Sequence, residues 1–192
     1  MTWCVYLSHP EVKIDPRVPV PEWGLSDIGR ERALKATELP YAQEITEVVS
    51  SAETKAVETA EIISEQLAVP HHVRASLHEN DRSATGFLQP DEFEETANRF
   101  FANPNVSIRG WEKATDVQTR IVESVVEELK RTRLDQPVLF AGHGAAGTIL
   151  MCHLMGVPIS RAHDQKRGGC WYRFEREWLT SQKGRDLSWI EI

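Results

Sequence analysis

The sequence predicts an α/β fold in which helices cover both faces of a mostly parallel central sheet, a three-layer αβα sandwich. Three observations support this prediction. Short apolar runs rich in β-forming residues alternate along the chain with longer segments of helical periodicity. Several of these runs end in histidine, serine or glycine directly before a loop or a helix. The chain has 192 residues, 41% hydrophobic and 27% charged, which suits one globular domain over residues 1–192.

The first third of the chain contains two strand–helix units. Residues 4–7 are predicted to form a buried strand that stops before Pro10, because proline cannot donate a ladder hydrogen bond. Ser26 is a good N-cap for a helix that extends to about residue 39. A second strand over residues 45–49 leads into a helix whose apolar residues recur at helical spacing: Ala56, Val57, Ala60, Ile63 and Leu67.

The remainder of the chain continues this alternation. Pro90 suits the first position of a helix that is predicted to reach residue 101. Gly156 and Pro158 end an apolar helix that begins at residue 145. The other predicted elements are a strand near residues 72–75, a helix over 113–133, a strand over 137–141 and two C-terminal strands within 169–177 and 187–192.

Charge and cysteine content restrict the partners of the chain. With 22 basic and 29 acidic residues, a formal net charge of -7, it lacks the broad cationic surface that nucleic-acid binding requires. No apolar run approaches the ~20 residues that span a bilayer, so no membrane segment is expected. Three cysteines without a CxxC pair predict reduced thiols and a cytoplasmic location. The C-terminal aromatic residues are expected to pack in the core, and substrate stacking and a homodimer contact are the alternatives.

Polar residues follow three of the predicted strands. His9 follows the first strand, Ser50 and Ser51 follow the second, and His143 follows the strand over residues 137–141. Because ligands of parallel sheets bind outside the carboxyl ends of the strands, these residues mark one candidate site.

The residue types near these strand ends suit phosphoryl transfer. A neutral imidazole can attack phosphorus if cations neutralise the phosphate oxygens and an acid protonates the leaving group. His9 is the candidate nucleophile and Glu79 the candidate acid, while Lys55 and His143 are candidate phosphate ligands. Each residue alone has a structural alternative, such as a hydrogen-bonded histidine, a solvated lysine or a surface carboxylate. Their combination predicts a phosphate site.

Five segments follow one another in an order typical of a known family. They are Ser8-His9-Pro10-Glu11, residues 23–33, residues 51–60, Leu77-His78-Glu79 and residues 138–144. This pattern resembles the histidine phosphatase superfamily, the phosphoglycerate-mutase-like proteins, whose members typically open with Arg-His-Gly-Glu. The resemblance covers about residues 2–156 and implies a phosphoglycerate-mutase-like fold.

The resemblance also implies roles for single residues. It makes His9 the residue that forms a phosphohistidine, Glu79 the proton donor and His143 a residue of the phosphate pocket. Asp15 falls where many members place an asparagine that touches the phosphate. Neither a metal ion nor another cofactor is implied.

Three residues depart from the family pattern. Ser8 stands where the family has an arginine before the nucleophile, Pro10 where it has a glycine, and Lys55 where it has a second pocket arginine. Neither a hydroxyl nor an ammonium group reproduces the paired hydrogen bonds that a guanidinium makes to phosphate. The predicted pocket therefore has fewer charged hydrogen-bond donors for a phosphate than the family pattern provides.

We expect another arginine to replace the missing cation. Arg82 is the leading candidate because it lies three residues after Glu79 in a polar loop. Arg17, in the loop after His9, and Arg109 are the next candidates. A surface salt bridge is the alternative role for each.

Two functions from different classes follow from these observations. The first is a metal-independent phosphomonoester hydrolase that acts on a small phosphorylated substrate through phospho-His9. The second is a catalytically weak or inactive relative that binds a phosphorylated ligand or a protein partner. The retained His9, Glu79 and His143 favour the hydrolase, whereas Ser8, Pro10 and Lys55 favour the binding protein. A phosphoglycerate-type mutase has less support, since nothing identifies the additional substrate contacts that it needs.

Overall fold

Six strands form one sheet in the computed structural model, which describes residues 2–181 and 185–192. The order across the sheet is β3-β2-β4-β1-β5-β6. β1, β4, β2 and β3 run parallel to one another, whereas β5 is antiparallel to β1 and β6 to β5. The mostly parallel sheet is therefore confirmed. The strands are β1 (Trp3–Ser8), β2 (Glu47–Ser50), β3 (His71–Val73), β4 (Val138–Gly142), β5 (Cys170–Glu175) and β6 (Ile190–Glu191).

Five α-helices join these strands, and their ends follow local chemistry. The Ser26 hydroxyl accepts a hydrogen bond from the Gly29 N–H and caps the first helix, as predicted. This helix ends earlier than expected, because the chain tightens into a 3-10 turn over Ala36–Glu38. Pro90 begins the third helix and Gly156, at φ 69°, ends the fifth. The helices are α1 (Asp27–Lys35), α2 (Thr54–Leu67), α3 (Pro90–Ala102), α4 (Ala114–Arg131) and α5 (Gly144–Met155).

The core consists of two apolar layers, one on each face of the sheet. Side chains alternate along β1, so that Tyr6 packs with Phe140 and the helices on one face while Leu7 packs on the other face. Ile149 of α5 belongs to the first layer and Ile63 of α2 to the second. The layers produce the three-layer architecture that the alternating sequence predicts.

The C-terminal aromatic residues contribute to the first of these layers. Tyr172 on β5 stacks on Tyr6, with ring centroids 5.6 Å apart, and Trp189 packs edge-on against Tyr172 at 4.9 Å. The final strand is shorter than predicted and covers only Ile190–Glu191. No helix within the described ranges is both long and apolar enough to cross a membrane.

Candidate active site

The carboxyl ends of β1, β4 and β2 bring the predicted residues to one edge of the sheet. Ser8 on β1 pairs with Gly142 on β4, and the His9 N–H donates to the Gly142 carbonyl at 2.9 Å. His143 follows directly, and the rings of the two histidines meet edge-on with centroids 5.4 Å apart. Ser51, after β2, donates its backbone N–H to the Ala141 carbonyl. Adjacent strands thus place both histidines in one site.

The environment of His9 leaves one ring nitrogen available. Its Nδ1 lies 2.8 Å from the Pro10 carbonyl oxygen, a contact in which only a protonated Nδ1 can donate. In that tautomer Nε2 carries the lone pair. Burial, with the charge of Lys55 as a second cause, lowers the pKa of His9 to about 4. The ring is therefore neutral near pH 7, as a nucleophile must be.

His143 is held entirely inside the protein. Its Nε2 lies 2.8 Å from the Ser51 hydroxyl and 3.6 Å from Oε1 of Glu53, while its backbone N–H donates to the Tyr6 hydroxyl at 3.1 Å. Burial lowers its pKa well below the usual range. Nδ1 is buried and has no hydrogen-bond partner among the described residues. An added Cβ on Gly142 would lie 2.2 Å from the Tyr6 hydroxyl oxygen, which explains the glycine before His143.

Glu79 sits at the amino end of α5. Its carboxylate accepts hydrogen bonds from the backbone N–H groups of Ala145 at 3.1 Å and Ala146 at 2.8 Å, and from Asn80 at 3.1 Å. Burial raises the pKa of Glu79 even though these donors and Arg82 oppose the shift. A carboxyl group with a raised pKa and a rigid position suits proton donation.

Lys55 is almost completely buried and is neutralised by a nearby carboxylate. Its Nζ forms an ion pair with Glu53 and also donates to the Val20 carbonyl at 2.9 Å. Burial works against ionisation of Glu53, but His143, Lys55 and the backbone N–H of Glu79 together lower its pKa to about 2. The ammonium group is thus less available to a phosphate than the sequence predicts. Glu53 was not among the predicted site residues, although its position two residues before Lys55 is a usable signal.

A cavity of about 340 Å³ opens beside His9. Glu79, Asn80, Arg82 and the first turn of α5 form part of its wall, and the loop over residues 161–168 forms another part. Within the described residues, no group of three His, Cys, Asp or Glu side chains is arranged to hold a metal ion.

Residues 17–177 match the sequence model of the histidine phosphatase superfamily, branch 1. The chain belongs to this superfamily. The matched range starts after His9, so the assignment of the first histidine depends on the strand end described above. The comparison with curated proteins found no match.

Several solved structures share the fold of this chain. Mycobacterial glucosyl-3-phosphoglycerate phosphatase aligns with a TM-score of 0.80 and 20% identity over 99% of this chain and 96% of its own. Its complex with inorganic phosphate aligns at 0.77 and 22% identity over 99% and 95%. YhfR of Bacillus stearothermophilus aligns at 0.76 and 23% identity over 91% of each chain. These alignments confirm the phosphoglycerate-mutase-like architecture.

Of the three candidate arginines, only Arg82 lines the cavity beside His9. Its guanidinium carbon lies 5.2 Å from the ring centre of Phe93 and 5.7 Å from that of Trp111. It forms no ion pair with a carboxylate in the part of the chain that the structure describes. Arg82 is therefore the candidate arginine that lines the cavity without an ion pair among the described residues.

Arg17, Arg109 and Asp15 lie outside the wall of this cavity, contrary to expectation. Arg17 is 87% exposed and makes two hydrogen bonds to Asp15, at 2.9 and 2.8 Å. Arg109 pairs with Glu92 at 2.6 Å. Each guanidinium group thus forms a salt bridge outside the cavity, which is the alternative role that the sequence left open for these arginines.

Ser8, in the position of the first family arginine, has partners that the sequence did not reveal. Its hydroxyl accepts the Cys170 N–H at 3.0 Å and donates to the side-chain oxygen of Gln165 at 2.5 Å. Gln165 lines the cavity with His9. Gln165 was not among the predicted site residues, because no sequence motif connects residues 157 positions apart.

Proposed function

We propose that the chain hydrolyses a small phosphomonoester through a phosphohistidine on His9. The observation that carries this proposal is the orientation of the His9 ring. Nδ1 is engaged by the Pro10 carbonyl, which leaves the Nε2 lone pair beside a cavity that also contains the Glu79 carboxyl group. A neutral nucleophile and a carboxyl group of raised pKa are the two groups that the reaction requires.

The reaction proceeds in two transfers. In the first, Nε2 of His9 attacks phosphorus, the bond between phosphorus and the ester oxygen breaks, and Glu79 gives its proton to the departing alkoxide. In the second, the Glu79 carboxylate takes a proton from water while the water oxygen attacks phosphorus. The N–P bond then breaks and inorganic phosphate leaves. Arg82 offsets the negative charge of the phosphoryl oxygens during both transfers.

Small phosphorylated compounds fit this site best. The cavity of about 340 Å³ accommodates a molecule of modest size. One structural neighbour is named a glucosyl-3-phosphoglycerate phosphatase, and its solved complex contains inorganic phosphate. Both observations support a small phosphate ester as the substrate class.

A second candidate function is phosphate-ligand binding with little or no catalysis. The ion pair between Lys55 and Glu53 favours it, because the buried ammonium group is already neutralised. Ser8 favours it as well, since a hydroxyl supplies no positive charge at the position of the family arginine.

Hydrolysis of 4-nitrophenyl phosphate without added metal distinguishes the two functions. Wild type, His9→Ala and the control His72→Ala, which alters a histidine on β3, are compared. We expect activity in wild type and His72→Ala, with acid-labile phosphate on the protein, and loss of both signals in His9→Ala. Activity that persists in His9→Ala contradicts the phosphohistidine mechanism. Inactivity of wild type across a panel of phosphomonoesters favours the binding function.

We also propose that the protein works in the reducing cytoplasm. Cys4, Cys152 and Cys170 are all buried and unpaired. Burial raises the pKa of the Cys4 thiol to about 12, so this group stays protonated and unreactive. Three buried thiols are typical of a protein that keeps its cysteines reduced.

A further inference from the structure

We infer that the Gln165 side-chain amide binds the phosphoryl group, and that Ser8 is a positioning residue that sets the orientation of this amide. A neutral donor thus occupies the region that the first family arginine would serve. This inference rests on the proposed function of the site and specifies how the site holds its phosphate.

The hydrogen bonds of Ser8 decide which end of the Gln165 amide faces the cavity. The Ser8 hydroxyl oxygen accepts the Cys170 N–H at 3.0 Å, and two acceptors lie near its one proton: Oε1 of Gln165 at 2.5 Å and the Cys170 carbonyl at 3.2 Å. The much shorter contact assigns this proton to Oε1 of Gln165. Ser8 is completely buried at the end of β1, so water does not compete for these bonds. Because Oε1 is engaged, the Nε2 donor is directed away from Ser8.

The Nε2 group lies at the amino end of α5. A Cβ added to Gly144, the first residue of α5, would be 2.6 Å from Nε2 of Gln165. Gly144, Gln165 and His9 line the same cavity. The glycine therefore leaves space for an amide donor beside the positive end of a helix of 12 residues.

The loop that carries Gln165 is anchored on both sides. The Gln165 N–H donates to Oδ1 of Asp164 at 2.9 Å, and the same oxygen accepts the Thr148 hydroxyl of α5 at 2.8 Å. Arg32 donates to the carbonyls of Gly168 at 2.7 Å and Gly169 at 3.0 Å. The amide is therefore prearranged and does not have to be ordered when a phosphate binds.

The side-chain amide of Asn80, in the wall of the same cavity, also has a donor available for a phosphate oxygen. Asn80 is 5% exposed, and its Nδ2 is buried without a hydrogen-bond partner among the described residues. Asn80 lines the cavity together with Gln165 and Arg82. A buried donor without a partner is costly, and a phosphate oxygen in the cavity would provide that partner.

Neutral hydrogen-bond donors are important for phosphate binding because few uncompensated positive charges lie around the site. Lys55 is neutralised by Glu53, and both histidines are uncharged near pH 7 because burial lowers their pKa values. Of the three arginines that line the cavity, Arg161 pairs with Glu94 and Arg167 with Glu191, which leaves Arg82 as the one without an ion pair among the described residues. Amide N–H groups add hydrogen bonds to the phosphoryl oxygens without adding a charge that needs compensation.

Calorimetric binding of inorganic phosphate to the full chain tests the inference. Gln165→Leu removes the donor, and we expect it to weaken phosphate binding about 10- to 100-fold, the effect of losing one hydrogen bond to a charged group. Gln165→Glu replaces the donor with a carboxylate of the same shape and is expected to weaken binding further at pH 7. Gln66→Glu, which makes the same charge change at an exposed residue of α2, should bind phosphate as wild type does.

The pH dependence of these variants provides a signal that a structural role would not produce. A protonated carboxyl group can donate as the amide does, so at pH 4 Gln165→Glu should bind phosphate more tightly than Gln165→Leu, whereas relief of charge repulsion alone would raise its affinity only to that of Gln165→Leu. The other ionisable groups that line the cavity are present in both variants; they are His9, Glu79, Arg82, Glu94, Arg161, Asp164 and Arg167. An affinity of Gln165→Glu at pH 4 that does not exceed that of Gln165→Leu contradicts donation at this position.

The role of Ser8 is tested by combining substitutions. Ser8→Ala should weaken phosphate binding in wild type but have little effect in Gln165→Leu, because both changes remove the same oriented donor. Thermal unfolding establishes that each variant is folded. Additive effects overturn the positioning role of Ser8.

The outcomes separate this inference from the proposed function. If wild type binds phosphate and both Gln165 variants bind it equally well, Gln165 is not a ligand, although the phosphatase proposal stands. If wild type neither binds phosphate nor hydrolyses phosphomonoesters, the proposed function fails and the inference fails with it.

Discussion

His9 and Glu79 need opposite protonation states for the proposed reaction, and burial favours both. Burial disfavours the charged form of any group. It therefore lowers the pKa of His9 to about 4, which keeps the nucleophile neutral, and raises the pKa of Glu79, which helps the acid retain its proton. Burial is thus the largest cause of both shifts, and the charge of Lys55 adds to it at His9 and that of Glu53 at Glu79.

Glu79→Gln separates proton donation by this residue from its contact with α5. The amide oxygen can still accept an N–H of Ala145 or Ala146, but the side chain cannot donate a proton to a leaving alkoxide. We expect kcat/KM for an alkyl phosphate, which reports the first transfer, to fall about 10²- to 10⁴-fold, whereas kcat/KM for 4-nitrophenyl phosphate, whose phenolate leaves unprotonated, falls less. The ratio of kcat/KM values for the two substrates measures this difference. Glu65→Gln on the exposed side of α2 is the control, and an equal loss of kcat/KM on both substrates would show that Glu79 does not protonate the leaving group.

The site could be predicted from sequence as far as its residues follow strand ends or belong to short motifs. His9, Glu79 and His143 were predicted in this way; the rings of the two histidines are in contact, and Glu79 lines the same cavity as His9. Gln165 was missed because its contact with Ser8 forms only when distant segments fold together. Glu53 was missed because a carboxylate near a lysine is usually a surface ion pair, whereas this one is buried.

At the scale of elements, helix boundaries were predicted best where one residue decides them. Ser26, Pro90 and Gly156 act through hydrogen bonds or backbone angles within a few residues, so local sequence contains the necessary information. The end of α1 was predicted less well. The chain from Ala36 to Glu38 stays helical in sequence pattern but tightens to 3-10 geometry, while Ala36 packs into the second core layer.

Ser26→Ala tests how strongly its cap stabilises α1. The Ser26 hydroxyl accepts the Gly29 N–H at 3.0 Å and donates to Oε1 of Glu11 at 2.7 Å. Losing the cap is expected to lower the free energy of unfolding by about 0.5–2 kcal/mol, measured by urea denaturation. Ser26→Thr retains the hydroxyl and should remain closer to wild type. Equal losses in both variants would show that the cap contributes little.

At the scale of the whole molecule, the order of the strands explains why the site forms where it does. β1 and β4 are neighbours in the sheet although more than a hundred residues separate them, and β2 lies on the other side of β4. The mostly parallel sheet was predictable from alternating elements, because parallel strands need helical crossovers. The strand order was not predictable in this way, since no local pattern specifies which strand lies beside β1.

Stability should depend on pH because folding buries uncharged histidines. The pKa of His9 is about 4 in the folded protein, whereas an unperturbed histidine has a pKa of about 6.5. Between these values the unfolded chain binds a proton that the folded chain does not, so the free energy of unfolding decreases as the pH falls through this interval. His143, whose pKa burial also lowers, acts in the same direction, while Glu79 with its raised pKa opposes it.

His9→Asn isolates the contribution of one histidine to this dependence. Between pH 6.5 and 4 the free energy of unfolding of wild type should fall more steeply than that of the variant, by at most about 1.4 kcal/mol per pH unit. Urea denaturation at half-unit pH intervals measures both slopes. Above pH 7.5 neither the folded nor the unfolded His9 binds a proton, so the two curves should run parallel there and serve as the internal control. Equal slopes below pH 6.5 would mean that His9 is protonated as easily in the folded protein as in the unfolded chain, and a neutral His9 nucleophile in acidic solution would then be ruled out.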